Sequence, residues 1–165
     1  MNTKATTCCF FGHRKITLTD ELVRNLRIAI EHLIVEKKID TFLFGSKSDF
    51  DELCLTTVTE LKNKYPHIKR IYVRAEFPYI DEKYQSYLLN KYDKTYYPDR
   101  LLNAGRAVYV ERNYEMIDKS NYCICYYDGN YKPQKRNSGT KIAYDYASKK
   151  DLQILICFNI RESDI

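Results

Sequence analysis

The segment Ser138-Gly139-Thr140-Lys141 has the residue types that hold an anion, and it directly precedes a segment with helical periodicity. A glycine-bearing turn at the start of a helix presents main-chain N–H groups and the positive end of the helix dipole. Gly139 would let a phosphate approach the backbone, Thr140 adds a hydroxyl donor and Lys141 adds a positive charge. The turn predicts phosphate binding, and an ordinary serine cap beside a solvated basic loop is the alternative.

A second group of polar residues, Gly12-His13-Arg14, follows a short apolar segment. The guanidinium of Arg14 suits a bidentate contact to phosphate. The imidazole of His13 is suited to act as an acid, a base or a hydrogen-bond donor. The alternative is an ordinary surface loop.

A third turn, Gly45-Ser46-Lys47-Ser48-Asp49, separates another apolar segment from a helical pattern. It offers a second set of main-chain N–H groups for a phosphate or a ribose, with Asp49 near a sugar hydroxyl. Taken alone, this turn is better explained as a strand-to-helix connection capped by Ser48.

Two further positions carry polar side chains of functional interest. Arg112, Asn113 and Glu115 lie in a charged helical segment, where the three-residue spacing of Arg112 and Glu115 predicts a surface ion pair. Asp128 follows an apolar segment that ends at Tyr127, so it is expected at the end of a strand.

The elements that must position these residues alternate between strand and helix. The predicted strands are Thr7–Phe11, Asp40–Phe44, Ile68–Arg74, a short strand near Lys94–Tyr97, Asn121–Tyr127 and Leu152–Phe158. Helices are predicted after Thr17 or Thr19, after Ser48, from about Asn103 to Lys119, and after Ser138. Residues 76–100 are predicted to form a loop, about two helical turns and the short strand, and no role is assigned to them.

This alternation predicts an α/β fold for residues 1–165, a single domain with one open, doubly wound, mostly parallel sheet and helices on both faces. In such a Rossmann-like sheet, ligands bind outside the carboxyl ends of the strands, where the strand order reverses. The loops that begin at Gly12, Gly45 and Asp128 and the turn at Ser138 are all predicted at that edge.

Composition excludes several classes of protein. The 165 residues are 44% apolar and 30% charged, which is typical of one globular domain. No apolar segment is long enough to span a membrane, and the N-terminus lacks the features of a signal peptide, so a cytoplasmic protein is expected. The net charge of +5 is dispersed, which disfavours a nucleic-acid surface.

The cysteines and histidines do not have the spacing of a metal site. Six cysteines and three histidines are present, without a CxxC motif. Most cysteines lie in strand-like segments, where a reduced, buried thiol is expected. Neither a metal nor another cofactor is predicted.

Five segments occur in an order that resembles a known family: Cys8–Arg14, Phe42–Asp51, Glu111–Asn121, Tyr127–Gly129 and Ser138–Ala147. They are similar to the GHR-like, glycine-turn, RN-x-x-M-[VI]-D and SGT motifs of the YpsA-like branch of the SLOG superfamily. This Rossmann-like group also includes the DprA/Smf and LOG proteins. Two positions depart from the pattern, because Ser48 and Ser138 stand where this branch often has glycine.

The resemblance implies a pocket for a nucleotide or a nucleotide-derived ligand such as an ADP-ribose derivative, bound by a sensor, sponge or regulator. The positions that match the family motifs are Gly12, His13, Arg14, Gly45, Asp49, Arg112, Asn113, Ser138, Gly139 and Thr140. The resemblance also leaves room for a homodimer, and single-stranded DNA binding, as in DprA relatives, is disfavoured by the modest charge.

An N-glycosidic-bond hydrolase or transferase is the alternative function, because LOG phosphoribohydrolases share the fold. Their catalytic glutamate follows a PGGxGT turn, and the corresponding positions here are Ile142 and Ala143. Neither side chain can stabilise an oxocarbenium-like centre. Asp49, Glu115 and Asp145 are the remaining acidic candidates, and no spacing rule favours any of them.

Overall fold

The computed structural model describes residues 4–45, 47–128 and 139–156. Six parallel strands form one sheet in the order β4-β3-β2-β1-β5-β6. The strands are β1 (Thr7–Gly12), β2 (Thr41–Phe44), β3 (Lys69–Val73), β4 (Lys94–Tyr96), β5 (Tyr122–Tyr126) and β6 (Gln153–Ile156). The chain moves outward from β1 to β4 and then returns to the other side of β1, so the strand order reverses between β1 and β5. The predicted fold class is confirmed.

Five helices connect the strands: α1 (Asp20–Glu36), α2 (Asp49–Lys64), α3 (Glu82–Leu89), α4 (Val108–Asp118) and α5 (Gly139–Ser148). Three short 3₁₀ turns, Lys4–Thr6, Asp99–Leu101 and Gly105–Ala107, complete the described elements. None of the described helices is long and apolar enough to cross a membrane.

The central strand contributes to a separate hydrophobic core on each face of the sheet. Cys8 and Phe10 pack with the apolar faces of α1 and α2, whereas Cys9 and Phe11 pack with α4 and α5. This alternation follows from the two-residue period of a strand, and it explains why the four consecutive positions 8–11 of β1 are all apolar. Helices on both faces therefore bury the sheet completely at β1.

The segment between β3 and α4 contains the predicted short helix and short strand. Asp81 caps α3 by accepting a hydrogen bond from the Tyr84 N–H at 2.8 Å. The Arg70 guanidinium on β3 contacts both carboxylate oxygens of Asp93, each at 3.1 Å, which fixes the chain as it enters β4. These residues extend the sheet by one edge strand and support the loop that follows β3.

The helix predicted from Asn103 begins later. α4 starts at Val108, after two 3₁₀ turns, because Gly105 adopts a left-handed conformation with φ of 58° that interrupts an α-helix. Ala107 precedes α4 and is exposed, whereas Met116 and Ile117 on the helix are buried.

Thr19, rather than Thr17, caps α1, since its hydroxyl accepts a hydrogen bond from the Leu22 N–H at 3.0 Å. We expect Thr19→Ala to lower the free energy of unfolding by about 1 kcal/mol. Thr17→Ala is the matched control and should change stability by less than about 0.5 kcal/mol. Urea unfolding monitored by circular dichroism measures both, and equal effects would contradict the assignment of the cap.

Candidate functional site

The carboxyl ends of β1 and β5 are joined by the side chain of His13. Its imidazole is 2% exposed, and its Nε2 accepts a hydrogen bond from the main-chain N–H of Asp128 at 3.0 Å. The main-chain N–H of His13 in turn donates a hydrogen bond to the main-chain carbonyl of Tyr126 at 3.2 Å. These two bonds hold the first residue after β1 against the residues that end β5, at the point where the strand order reverses.

The contact with Asp128 defines the chemical state of His13. A ring nitrogen that accepts a main-chain N–H carries no proton, so Nε2 is the acceptor of a neutral imidazole. Burial lowers the pKa of His13 below its ordinary value, and the neighbouring Asp128 only partly offsets this. The structure thus shows Nε2 as an acceptor toward the protein backbone, a contact that the sequence analysis did not predict.

The N-terminus of α2 is occupied by groups of the chain itself. Ser48 Oγ accepts the Asp51 N–H at 3.1 Å, and the Arg14 carbonyl accepts the Asp49 N–H at 2.8 Å. The first turn also carries the acidic residues Asp49, Asp51 and Glu52. Main-chain donors that are already bonded, beside several carboxylates, make this turn a poor phosphate site. Ser46 lies outside the described residues.

Gly12 and Gly45 allow close packing at this edge. A Cβ on Gly12 would lie 2.5 Å from Cδ2 of the buried Phe50 ring, and a Cβ on Gly45 would lie 2.5 Å from Cδ of Arg112. Contacts this short are not tolerated between carbon atoms, so a side chain at either position would displace its neighbour. Both glycines therefore have a packing role, whatever else they contact.

Arg112 and Glu115 do not form the predicted surface ion pair. Arg112 is 4% exposed, and its guanidinium donates to the Gly45 carbonyl and to Asn113 Oδ1. Glu115 is 9% exposed and accepts from the Tyr96 hydroxyl at 2.9 Å. Arg112, Glu115 and Met116 stand at positions i, i+3 and i+4, so they share the buried face of α4. Asn113 is half-buried and orients the Arg112 side chain.

The Arg112 guanidinium is a buried positive charge at the carboxyl end of β2. Within the described part of the chain, no carboxylate forms an ion pair with it. Burial lowers its pKa, and the charges of Asp51 and Glu76 partly offset the effect. An arginine remains protonated at neutral pH in any case. This end of β2 thus combines one buried cation with nearby acids.

The N-terminus of α5 differs from that of α2. No described atom other than its chain neighbours lies within 4 Å of where a Cβ of Gly139 would be, so the described residues leave this position unfilled. Thr140 is 7% exposed, and no acidic residue lies in the first turn. Lys141 forms an exposed ion pair with Asp145 at 2.7 Å. Ser138 and the basic residues that precede it lie outside the described residues.

The three acidic catalytic candidates lie on three different helices. Asp49 is exposed at the start of α2, Glu115 is buried against Tyr96, and Asp145 is paired with Lys141. Glu115 is also contacted by Lys119 at 3.1 Å. No group of three or more potential metal ligands is found among residues 4–45, 47–128 and 139–156.

Sequence reasoning missed three residues at this edge. Asp51 is 3% exposed, and its Oδ2 accepts the Gly45 N–H at 3.2 Å, although its position suggested only a helix cap. Glu76 accepts from the Tyr109 hydroxyl at 2.9 Å, across 33 residues of sequence. The acidic residues in the first turn of α2 could have indicated that Asp51 accepts main-chain N–H groups there. No local sequence pattern predicts the contact between Glu76 and Tyr109.

The neutral state of His13 predicts a pH dependence of stability. Its pKa is lowered from 6.5 in the folded state, so the unfolded chain binds the proton first and folding weakens as the pH falls below about 6.5. Between pH 7.5 and 5.5, wild type should lose stability more steeply than His13→Gln, by up to about 1.4 kcal/mol per pH unit.

His67→Gln, at an exposed position, is the matched control and should retain the wild-type slope. Urea unfolding at a series of pH values measures the difference. The same slope in wild type and His13→Gln would show that His13 does not titrate with folding.

Comparison with protein-family models gives a match over residues 4–159 to the YpsA model, which is described as the YspA SLOG family. A comparison with curated proteins finds no match. The matched segment contains every strand and helix described above, and it confirms the resemblance seen in the sequence motifs. The chain therefore belongs to the YspA SLOG family.

Proposed function

We propose that the protein binds a phosphorylated, nucleotide-derived small molecule across the carboxyl edge of the sheet, between β1 and β5. The phosphate lies at the N-terminus of α5, near Gly139 and Thr140. Arg14 approaches it from the loop after β1, and the sugar lies beside Gly45 and Asp49. In this role the protein acts as a sensor, sponge or regulator that retains its ligand intact.

The contrast between the two helix N-termini is the observation that supports this orientation. At α2, Ser48 and the Arg14 carbonyl already accept main-chain N–H groups, and the first turn is acidic. At α5, the first turn lacks acidic residues, and no residue that the structure describes fills the position beside Gly139. A phosphate gains from the helix dipole at α5 and would be repelled by carboxylates at α2.

Arg14 is the side chain best placed to add a charge-assisted contact. Its carbonyl is fixed by the Asp49 N–H, whereas its side chain is exposed after the buried end of β1. The hydrogen bond from the Asp49 N–H to the Arg14 carbonyl, at 2.8 Å, fixes the main chain of Arg14. Its exposed guanidinium can therefore bind an anion without any change in the loop. The family membership supports the same position, because the GHR-like motif ends at Arg14.

The first test combines Gly139→Val with Thr140→Ala. The space at Gly139 accommodates the added methyl groups, so the variant should fold, but it blocks phosphate approach and removes the hydroxyl. Thermal shift with ADP-ribose, AMP and related nucleotides should show stabilisation of wild type and none of the double variant. Thr17→Ala, on the surface before α1, is the control and should respond as wild type does.

The same incubations distinguish binding from catalysis. Mass spectrometry should recover the ligand intact. Release of a free base would assign N-glycosidic hydrolysis instead, and unchanged ligand-induced stabilisation of the folded double variant would exclude the phosphate position at α5.

The second test is Arg14→Ala, which retains the main-chain carbonyl that receives the Asp49 N–H. We expect it to weaken binding of phosphorylated ligands by about 1.5–3 kcal/mol, the value of a hydrogen bond to a charged group. Isothermal titration calorimetry measures the change, with Arg24→Ala on the exposed side of α1 as the control. An equal loss for an unphosphorylated nucleoside would contradict a phosphate contact.

A further inference from the structure

An exposed tyrosine is held in a fixed position beside the proposed ligand site. Tyr109, in the first turn of α4, is 49% exposed, and its hydroxyl donates to Glu76 Oε1 at 2.9 Å. The Arg112 guanidinium lies over its ring, 5.8 Å from the centroid. Arg112 also donates to the carbonyl of Gly45, the residue after β2, so Arg112 links the Tyr109 ring to the end of that strand.

These contacts restrain Tyr109 without burying it. An exposed aromatic side chain usually retains rotational freedom, and restraining it costs conformational entropy. Here a carboxylate holds the hydroxyl and a buried cation holds one face of the ring, while about half of the side chain stays accessible. A ring prepared in this way offers a flat apolar surface on which another planar group can stack.

The charge of this part of the edge selects the chemistry of its ligand. Glu76 follows β3, and Asp49, Asp51 and Glu52 follow β2. The cations Arg74 and Arg112 are buried and donate to carbonyl groups of the chain itself, so the exposed carboxylates here outnumber the exposed Lys47. Carboxylates accept hydrogen bonds from hydroxyl groups and repel phosphates. This part of the edge therefore suits the sugar and base of a nucleotide and not its phosphate.

We propose that Glu76 and Tyr109 form the nucleoside subsite, in which the Tyr109 ring stacks on the base and Glu76 accepts a ribose hydroxyl. This inference rests on the proposed function, since it takes the phosphate to be at α5.

Calorimetry with ADP-ribose, AMP and ribose 5-phosphate tests the subsite. Wild type should bind ADP-ribose and AMP more tightly than ribose 5-phosphate, which lacks the base. Tyr109→Ala should weaken ADP-ribose binding at least about tenfold, through the loss of base stacking, and should leave ribose 5-phosphate unchanged within about twofold. Tyr109→Phe retains the ring and should stay within about threefold of wild type.

Two matched controls separate this subsite from a general surface effect. Tyr87 on α3 is also about half exposed, and Lys91 lies 5.3 Å from its ring centroid, so Tyr87→Ala removes a comparable side chain elsewhere. Glu76→Gln should weaken ADP-ribose binding, whereas Glu36→Gln, at the exposed end of α1, should not. Circular dichroism verifies that each variant is folded.

The outcomes distinguish this inference from the proposed function. If wild type binds ADP-ribose and Tyr109→Ala binds it as tightly as Tyr87→Ala does, the nucleoside subsite is excluded and the proposed function stands. If wild type binds ribose 5-phosphate as tightly as AMP, the base contributes nothing and the nucleoside subsite is likewise excluded. If wild type binds none of the three ligands, both proposals fail.

Discussion

The hydrogen bond from the Asp128 main chain to the buried imidazole of His13 joins the two strands between which the sheet changes direction. In a parallel sheet, the loops that leave neighbouring strands at this point diverge toward opposite faces, which opens a crevice. A fixed contact across the base of that crevice sets how far its walls separate. The positions of Arg14 and of the α2 N-terminus then follow, since the Arg14 carbonyl and the Asp49 N–H continue the same connection.

The two sides of this edge have different electrostatic character, and the difference comes from short stretches of sequence. Asp49, Asp51 and Glu52 begin α2, whereas no acid begins α5. Two helix N-termini of similar geometry thus present opposite preferences to a charged ligand. The buried Arg112 lies on the acidic side, where it ties α4 to the end of β2 through the Gly45 carbonyl. The ligand that we propose, with an anionic part and a hydroxyl-rich part, matches this difference between the two sides.

Local sequence patterns predicted the strands and most helix starts because those depend on neighbouring residues. The apolar β1 segment, the Ser48 cap and the buried stripe of α1 are examples. The start of α4 was wrong because Gly105 takes a left-handed conformation that periodicity does not reveal. The burial of Arg112 and Glu115 was missed because two opposite charges three residues apart are typical of an exposed helix face, whereas here that face packs against the sheet.

Contacts between distant segments could not be predicted from the sequence at all. The Glu76–Tyr109 hydrogen bond and the closure of α2 by the Arg14 carbonyl both depend on the strand order. A turn that reads as an anion site can therefore be occupied by the chain's own carbonyl once the sheet forms. The glycines are a similar case: Gly12 and Gly45 match a family motif, yet each also makes room for a specific side chain.

The cysteines of the central strands make the folded sheet a protected environment for thiols. Cys8, Cys9, Cys123 and Cys125 are all buried, and burial raises the pKa of the Cys125 thiol to about 12. A thiolate-specific alkylating reagent therefore reaches these four sulfurs only when β1 and β5 separate. The rate at which these thiols are alkylated thus reports how often β1 and β5 separate. A ligand that bridges β1 and β5 would lower that rate in proportion to its occupancy.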